Sequence, residues 1–337
     1  MTVEVVQAAD PHDRRNSKLL IAGAGIGLAY GFGLRLLAAL PAVRDFTVVM
    51  TMGFTLLMPF AMGCVTVYFA EIRQSQRIRV WLMLPWLPLA AALAATMLVQ
   101  LEGLICIVMY APLGLVLATL GGTVGGISAR FIKRHRARNI TVACVAALPF
   151  LILPLEKPAF YQLELRQVEN SIDIQASPAV IWRNIERVPA IRRDELPNSW
   201  SRRIGFPDPI EATLSHEGVG GIRNASFAGG VLFTETVDVW DPEHRLGFSI
   251  AAQTAKIPAT TLDEHVRVGG PYFDVLYGEY RLEPLANGVT RLHLSSRQRL
   301  STDFNWYAHL WTDAVMSDLQ KRILVVIRQR CERKQRP

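Results

Sequence analysis

Long apolar runs dominate the first 155 residues of the chain. Three of them contain no Asp, Glu, Lys or Arg, a fourth is interrupted only by Arg35, and a fifth is 17 residues long. A helix of about 20 apolar residues crosses the hydrocarbon core of a bilayer. No water is present there, and a helix satisfies the hydrogen bonds of its own backbone polar groups. The sequence therefore predicts about five transmembrane helices, at residues 19–40, 46–70, 80–101, 103–129 and 139–155.

The net charge of +7 lies entirely in residues 1–157, which contain 14 Lys and Arg against seven Asp and Glu. The basic residues lie between the apolar runs, where they signal membrane topology more often than nucleic-acid binding, so no nucleic-acid partner is expected. Basic residues are abundant in the N-terminal arm, in the second loop and in the fourth loop. In membrane proteins, the loops on the cytoplasmic side carry an excess of Lys and Arg. The pattern predicts a multi-pass protein of the cell (inner) membrane, with a cytoplasmic N-terminus and, after five crossings, an extracytoplasmic C-terminal domain.

Glycines recur at every fourth position in two of the apolar runs: Gly23, Gly27 and Gly31 in the first, and Gly121/Gly125 with Gly122/Gly126 in the fourth. A phosphate-binding glycine loop needs a preceding strand, and none is predicted here. Small residues at this spacing allow membrane helices to approach closely. The glycines therefore predict helix packing.

Residues 158–337 change to the short alternating runs that are typical of strands, with 22 basic and 22 acidic residues. Ser177 and Pro178 predict a helix start, and a second short helix is expected after Pro189. Asn287-Gly288 lies between two alternating runs and predicts a hairpin. Strands are predicted at residues 164–174, 222–227, 231–240, 246–251, 274–282 and 290–300.

A long amphipathic helix is predicted to close the chain after Thr302 or Asp303. Its apolar residues recur at steps of three and four: Phe304, Tyr307, Trp311, Ala314, Val315, Leu319, Ile323 and Val326. Such a stripe needs a broad partner, and the preceding antiparallel sheet is the obvious one. The expected fold is thus a helical membrane region, at residues 1–157, followed by an α+β domain at residues 158–337.

This order of elements resembles the helix-grip fold of the START/Bet v 1-like superfamily, also called SRPBCC or polyketide cyclase/dehydrase-like. The resemblance covers about residues 168–333 and none of the membrane region. It implies a curved sheet wrapped on the long helix, with an apolar cavity that holds lipids, sterols, aromatic polyketides or similar ligands. Members range from carriers to cyclases, so the fold does not select the activity. The segments that carry it are VENSIDIQASPAVIWRNIERVPAI, GVGGIRNASFAGGVLFTETVDVWDPEHRLGFSI and GEYRLEPLANGVTRLHLSS.

Polar side chains on the inner face of such a sheet would orient a ligand. Glu235 shares a face with apolar neighbours, where burial should raise its pKa unless it has a partner, and Arg223 on the adjacent strand is the candidate partner. A buried structural ion pair, or a Glu235 that faces water, is the alternative interpretation. The full set of predicted cavity residues is Arg223, Phe233, Glu235, Tyr277, Glu279, His293, Tyr307 and Trp311.

Three functions remain open from the sequence. The first is a membrane-anchored module that binds a lipid or another apolar small molecule. The second is a cyclase, dehydrase or aromatase acting on a polyketide or isoprenoid, although no residue matches a catalytic motif. The third is a structural or interaction domain without a small ligand. The dispersed histidines and four cysteines lack metal-ligand spacing, so no metal or cofactor is expected, and no protein partner is specified.

Overall fold

The computed structural model describes residues 11–40, 53–135, 140–152, 162–253 and 267–333. These residues belong to two compact units: an N-terminal helical unit, and a second unit of mixed sheet and helix that contains the chain from residue 161 onward. The two units are described separately below.

The described residues of the N-terminal unit form six helices. A π-helical turn over Gly53–Leu57 leads directly into the second of them, and the tight turn at Pro85 separates the third from the fourth. The helices are α1 (Pro11–Ala39), α2 (Met58–Arg73), α3 (Ile78–Met83), α4 (Trp86–Leu98), α5 (Leu104–His135) and α6 (Ile140–Ile152).

Within the described residues, four helical segments are long and apolar enough to cross a membrane. They correspond to the first four predicted spans, with α3 and α4 together forming the third. The predicted fifth span appears as the shorter apolar helix Val142–Ile152. Residues 46–52 of the second predicted span, and residues 139 and 153–155 of the fifth, lie outside the described residues.

Among its described residues, the helical unit contains two ion pairs: in the first both side chains are at most 13 % exposed, and in the second the carboxylate is buried but the arginine is 44 % exposed. Arg35 of α1, which interrupts the first apolar run, is 8 % exposed and donates hydrogen bonds to the Glu102 carboxylate. Glu71, fully buried near the end of α2, accepts hydrogen bonds from the Trp81 indole and from Arg130. Charges at such depth are costly unless they are paired, so both contacts fix the registration of neighbouring helices.

In the described part of the second unit, seven antiparallel strands form one sheet, in the order β1-β7-β6-β5-β4-β3-β2. Residues with positive φ at Asn287 and Gly288 form the turn between the last two strands, which confirms the Asn-Gly hairpin. The strands are β1 (Gln162–Ile174), β2 (Pro209–Leu214), β3 (Ile222–Phe227), β4 (Leu232–Asp241), β5 (Arg245–Ala252), β6 (Phe273–Pro284) and β7 (Thr290–Thr302).

The residues described for this unit also form three α-helices: α7 (Pro178–Ile185), α8 (Trp200–Arg203) and the closing helix α9 (Asn305–Arg333). Pro178 lies in the first turn of α7 as predicted, but the Ser177 side chain makes no capping hydrogen bond. The second short helix begins at Trp200, well beyond Pro189. The strand–helix–helix–strands–helix order is the predicted helix-grip arrangement, which is thereby confirmed.

The main apolar core lies between the sheet and the helices α7 and α9. It includes Ile181, Trp182, Leu292, Leu324 and Ile327, together with Val237, Phe248 and Tyr280 from the central strands. The buried face of α9 differs from the predicted stripe, because Ala314 is exposed whereas Ala308, Met316, Leu324, Ile327 and Cys331 are buried. The helix also buries Gln320 and Arg322, so its inner face is partly polar.

Candidate functional site

The Arg223–Glu235 pair is the most deeply buried ion pair of the sheet. The two residues face each other across β3 and β4 in direct register, and their side chains are only 4 % and 7 % exposed. The guanidinium Nη1 donates a hydrogen bond to the carboxylate Oε2. The predicted pairing of these two residues is therefore present in the structure.

Aromatic side chains of the central strands surround the pair. The Arg223 guanidinium carbon lies 5.2 Å from the centre of the Phe248 ring, within the range of a cation–π interaction. It also interacts with the Tyr280 hydroxyl, and the Phe248 and Tyr280 rings pack 6.2 Å apart. Because both aromatics belong to the core that packs against α9, the ion pair lies on the helix-facing side of the sheet.

Burial changes the protonation behaviour of this cluster. Burial raises the pKa of Glu235, and the charge and hydrogen bond of Arg223 oppose that rise. Burial likewise raises the pKa of Tyr280, again against the effect of Arg223. The cluster thus contains a carboxyl and a phenol whose proton affinities are both increased, next to a permanent cation.

One donor of the cluster is unsatisfied. The Nε–H of Arg223 is buried and has no hydrogen-bond partner among the described residues. A buried unpaired donor costs about 1–3 kcal/mol, so such groups call for an explanation in a folded protein. An acceptor atom supplied by a bound molecule would satisfy it.

A second polar group lies under the first half of α9, where sequence analysis predicts no site. Asp313 accepts hydrogen bonds from Arg166 of β1 and from Gln298 of β7, and its hydrogen bond with Arg166 is the main cause of a raised arginine pKa. Seven residues further along α9, Gln320 bonds Asn170 of β1 and Ser296 of β7. These contacts tie the helix to the first and last strands through polar atoms.

A third polar group joins the segment around α8 to the closing helix. The Asp318 carboxylate accepts hydrogen bonds from the hydroxyls of Ser199 and Ser201, and Arg322 bonds Asp208 and Ser201. These side chains pair with each other across α8 and α9, which favours a structural role in holding α8 in place.

Three of the predicted cavity residues lie on the other face of the sheet. The Tyr277 hydroxyl donates to Glu279, which pairs with Arg245, and His293 lies between the carboxylates of Glu169 and Glu283. Their strand neighbours Tyr280, Leu292 and Leu294 are the ones that enter the core. The structure therefore separates Tyr277, Glu279 and His293 from the Arg223–Glu235 cluster.

The other three predicted residues are only partly buried. Phe233 packs edge-on against Phe227, 5.3 Å away, beside a small apolar cluster that includes Ala212 and Ala225. Trp311 packs against Trp200 of α8, 6.4 Å away. Tyr307 lies next to Trp306 at the start of α9. Two residues that sequence analysis missed, Phe248 and Tyr280, contact Arg223 of the ion pair.

Within the described residues, no group of three or more His, Cys, Asp or Glu side chains is arranged to hold a metal ion. The Arg223–Glu235 cluster combines a cation, a carboxyl and a phenol in an apolar surrounding.

No protein-family model matches the sequence, and no curated protein sequence matches it. Similar solved structures are START-like proteins and aromatase/cyclases that align with the C-terminal half. An aromatase/cyclase from Streptomyces sp. R1128 is 15 % identical over 51 % of this chain and 97 % of its own, with a TM-score of 0.33. A START superfamily protein from Mycobacterium smegmatis is 8 % identical over 50 % and 99 %, also with a TM-score of 0.33. A protein of the dynemicin biosynthetic locus is 19 % identical over 47 % and 45 %, with a TM-score of 0.27. The assignment of the fold rests on the strand order and closing helix described above.

Proposed function

We propose that the chain is a membrane-anchored module that binds an apolar small molecule or lipid between the sheet and α9. The buried Arg223–Glu235 pair supports this best. A buried ion pair adds little net stability over well-packed apolar residues, and this one leaves the Nε–H of Arg223 unsatisfied. A ligand with an apolar body and one hydrogen-bond acceptor, such as a carbonyl, carboxylate or phenol oxygen, would satisfy that donor.

The test is to identify what the full chain retains when it is extracted in polymer-bounded lipid discs. Lipids around the helical unit will be recovered in any case, so the control is the double variant Arg223→Met/Glu235→Leu, which lacks the proposed anchor but keeps every membrane helix. We expect native mass spectrometry and solvent extraction to find a molecule that is enriched with the wild-type chain. Equal recovery from both would contradict the proposal and favour a domain without a small ligand.

A second candidate function is cyclase-, dehydrase- or aromatase-like catalysis. The raised pKa of Glu235 favours it, because burial shifts this carboxyl upward from its usual range, in the direction that suits proton transfer at neutral pH. The same extraction distinguishes the two functions through Glu235→Gln. A binding module retains the same molecule in the variant, whereas an enzyme accumulates a different, unprocessed one.

We further propose that the N-terminus is cytoplasmic and that the sheet domain lies on the extracytoplasmic side of the cell membrane. The alternation of basic and non-basic loops supports this arrangement, provided that the short helix α6 crosses. A chain with only four crossings would return the domain to the cytoplasm. Alkaline phosphatase fused after Lys157 or at the C-terminus is expected to be active, and a fluorescent protein that folds only in the cytoplasm is expected to be dark at both sites. The reverse pattern would overturn the placement.

A further inference from the structure

Two pairs of exposed apolar side chains lie at one end of the second unit. Leu163 and Leu165 at the start of β1 are 64 % and 65 % exposed, and Trp306 and Leu310 in the first turns of α9 are 56 % and 57 % exposed. Leu163 is paired with Ser301, only a few residues before α9 begins at Asn305. The start of β1, the end of β7 and the start of α9 therefore form the same end of the domain.

The apolar character stops a short distance from this end. On β1, the residues that continue the face of the two leucines are polar: Gln167, Glu169, Ser171 and Asp173. On α9, the exposed face that carries Trp306 and Leu310 continues into the small Ala314 and then into Lys321. An apolar surface confined to one end of two long elements is typical of a contact site rather than of scattered exposed residues.

Chain connectivity indicates what this end contacts. The apolar helix α6 ends at Ile152 and β1 begins at Gln162, so ten Cα steps separate them, at most about 35 Å when fully extended. The start of β1 is thus the part of the sheet that follows the apolar helices most closely along the chain. The far end of β1 lies about 40 Å away at the strand rise per residue. Tryptophan with leucine is also a favoured composition for the membrane–water interface.

We infer that this end of the domain, defined by Leu163, Leu165, Trp306 and Leu310, inserts into the surface of the lipid bilayer. The inference rests on the proposed membrane anchoring and is independent of the proposed ligand. It gives the domain a fixed orientation: the start of the closing helix faces the lipid, and the Asn287-Gly288 turn at the other end of the strands faces away from it.

The test uses the full chain reconstituted in vesicles of phosphatidylcholine and phosphatidylglycerol. Cys106 and Cys144 are replaced by alanine, which leaves the buried Cys64 and Cys331, and single cysteines are introduced as Leu163→Cys, Trp306→Cys or Ala286→Cys for a polarity-sensitive fluorophore. We expect lipids with a nitroxide on the acyl chain to quench the fluorophores at residues 163 and 306 strongly. The fluorophore at residue 286, in the turn at the opposite end, is expected to remain unquenched.

A second comparison separates insertion from mere proximity. Trp306→Ala/Leu310→Ala is expected to reduce the quenching at residue 163, whereas Val219→Ala, which removes an exposed apolar side chain elsewhere, is expected to leave it unchanged. Equal quenching at residues 163 and 286 would overturn the inference. So would an apolar environment of the fluorophore at residue 163 that is found only in chains cross-linked as dimers. Release of the whole chain by alkaline carbonate would instead show that the membrane anchoring itself is wrong.

Discussion

Replacement of Arg223 by methionine is expected to lower the free energy of unfolding of the sheet domain by about 3–5 kcal/mol, because it leaves the Glu235 carboxylate buried without its cation. The carboxyl would then be accommodated by taking up a proton, so its pKa in the folded state lies above its unfolded value. A carboxyl whose pKa is raised in the folded state stabilises the fold at low pH, and this contribution is lost as the pH rises. The difference in free energy of unfolding between the variant and the wild-type chain should therefore grow from a pH of about 5 to about 8. Urea unfolding of the full chain, followed by tryptophan fluorescence, measures it.

The double variant Arg223→Met/Glu235→Leu distinguishes a binding role from a stabilising one. With both charges removed, apolar packing replaces the pair, and the free energy of unfolding is expected to return to near the wild-type value. Loss of the retained molecule together with recovered stability would show that the pair is present for the ligand. A double variant as unstable as Arg223→Met would contradict this and make the pair a structural requirement.

An exposed ion pair on the same sheet provides a matched control. Arg291 and Asp173 also face each other across neighbouring strands, at an N–O distance of 2.7 Å, but their side chains are 39 % and 51 % exposed. Exposed pairs are weakened by solvent screening. Arg291→Met should consequently leave both the unfolding transition and the retained molecule unchanged, which separates the effect of burial from that of removing an arginine.

Local signals explain which parts of the fold could be predicted from the sequence. Long uncharged runs, strand alternation and the Asn-Gly turn are each read within a few residues, and the structure contains the corresponding elements. Strand β2 was missed because its six residues, PIEATL, begin with proline and are bounded by irregular segments. Its pairing with β3 and the contact of Ala212 with Val188 are tertiary features that short-range alternation does not show.

The candidate site shows the same limit more sharply. The pairing of Arg223 with Glu235 could be predicted, because the two residues lie on strands that are adjacent along the chain and the alternation of each strand places them on the same face. Tyr277 and Glu279 were assigned to the wrong face relative to this pair, since alternation does not state which face is inner and a register shift separates Val275 from Tyr277. The assignment of His293 to the cavity could have been avoided from the sequence, because its neighbours Leu292 and Leu294 are the apolar residues of the strand. The inward-facing Arg166 and Asn170 find their partners on α9, roughly 150 residues later, and no local pattern reveals that.

The glycines of the helical unit lead to the second large expected effect. Gly121 and Gly125 of α5 face the backbone of α2: a Cβ atom at Gly121 would meet the carbonyl oxygen of Phe60 well inside contact distance, and one at Gly125 would meet that of Cys64. Backbone atoms cannot rotate away as the end of a flexible side chain can. Gly121→Ala is therefore expected to cost about 1–3 kcal/mol by forcing the helices apart, and Gly121→Ala/Gly125→Ala more than either change alone.

Gly25 of α1 is the matched control, because a Cβ atom added there has no atom within 4 Å. Alanine is the stronger helix former by about 1 kcal/mol, so Gly25→Ala should be neutral or mildly stabilising. The measurement is the temperature at which the detergent-solubilised chain loses its monodisperse peak in size-exclusion chromatography. Equal behaviour of Gly121→Ala and Gly25→Ala would contradict the close approach of α2 and α5. A loss at Gly121 alone would show that the four-residue glycine spacing is a packing requirement, since both substitutions make the same chemical change in an apolar helix and differ only in what the added methyl group meets.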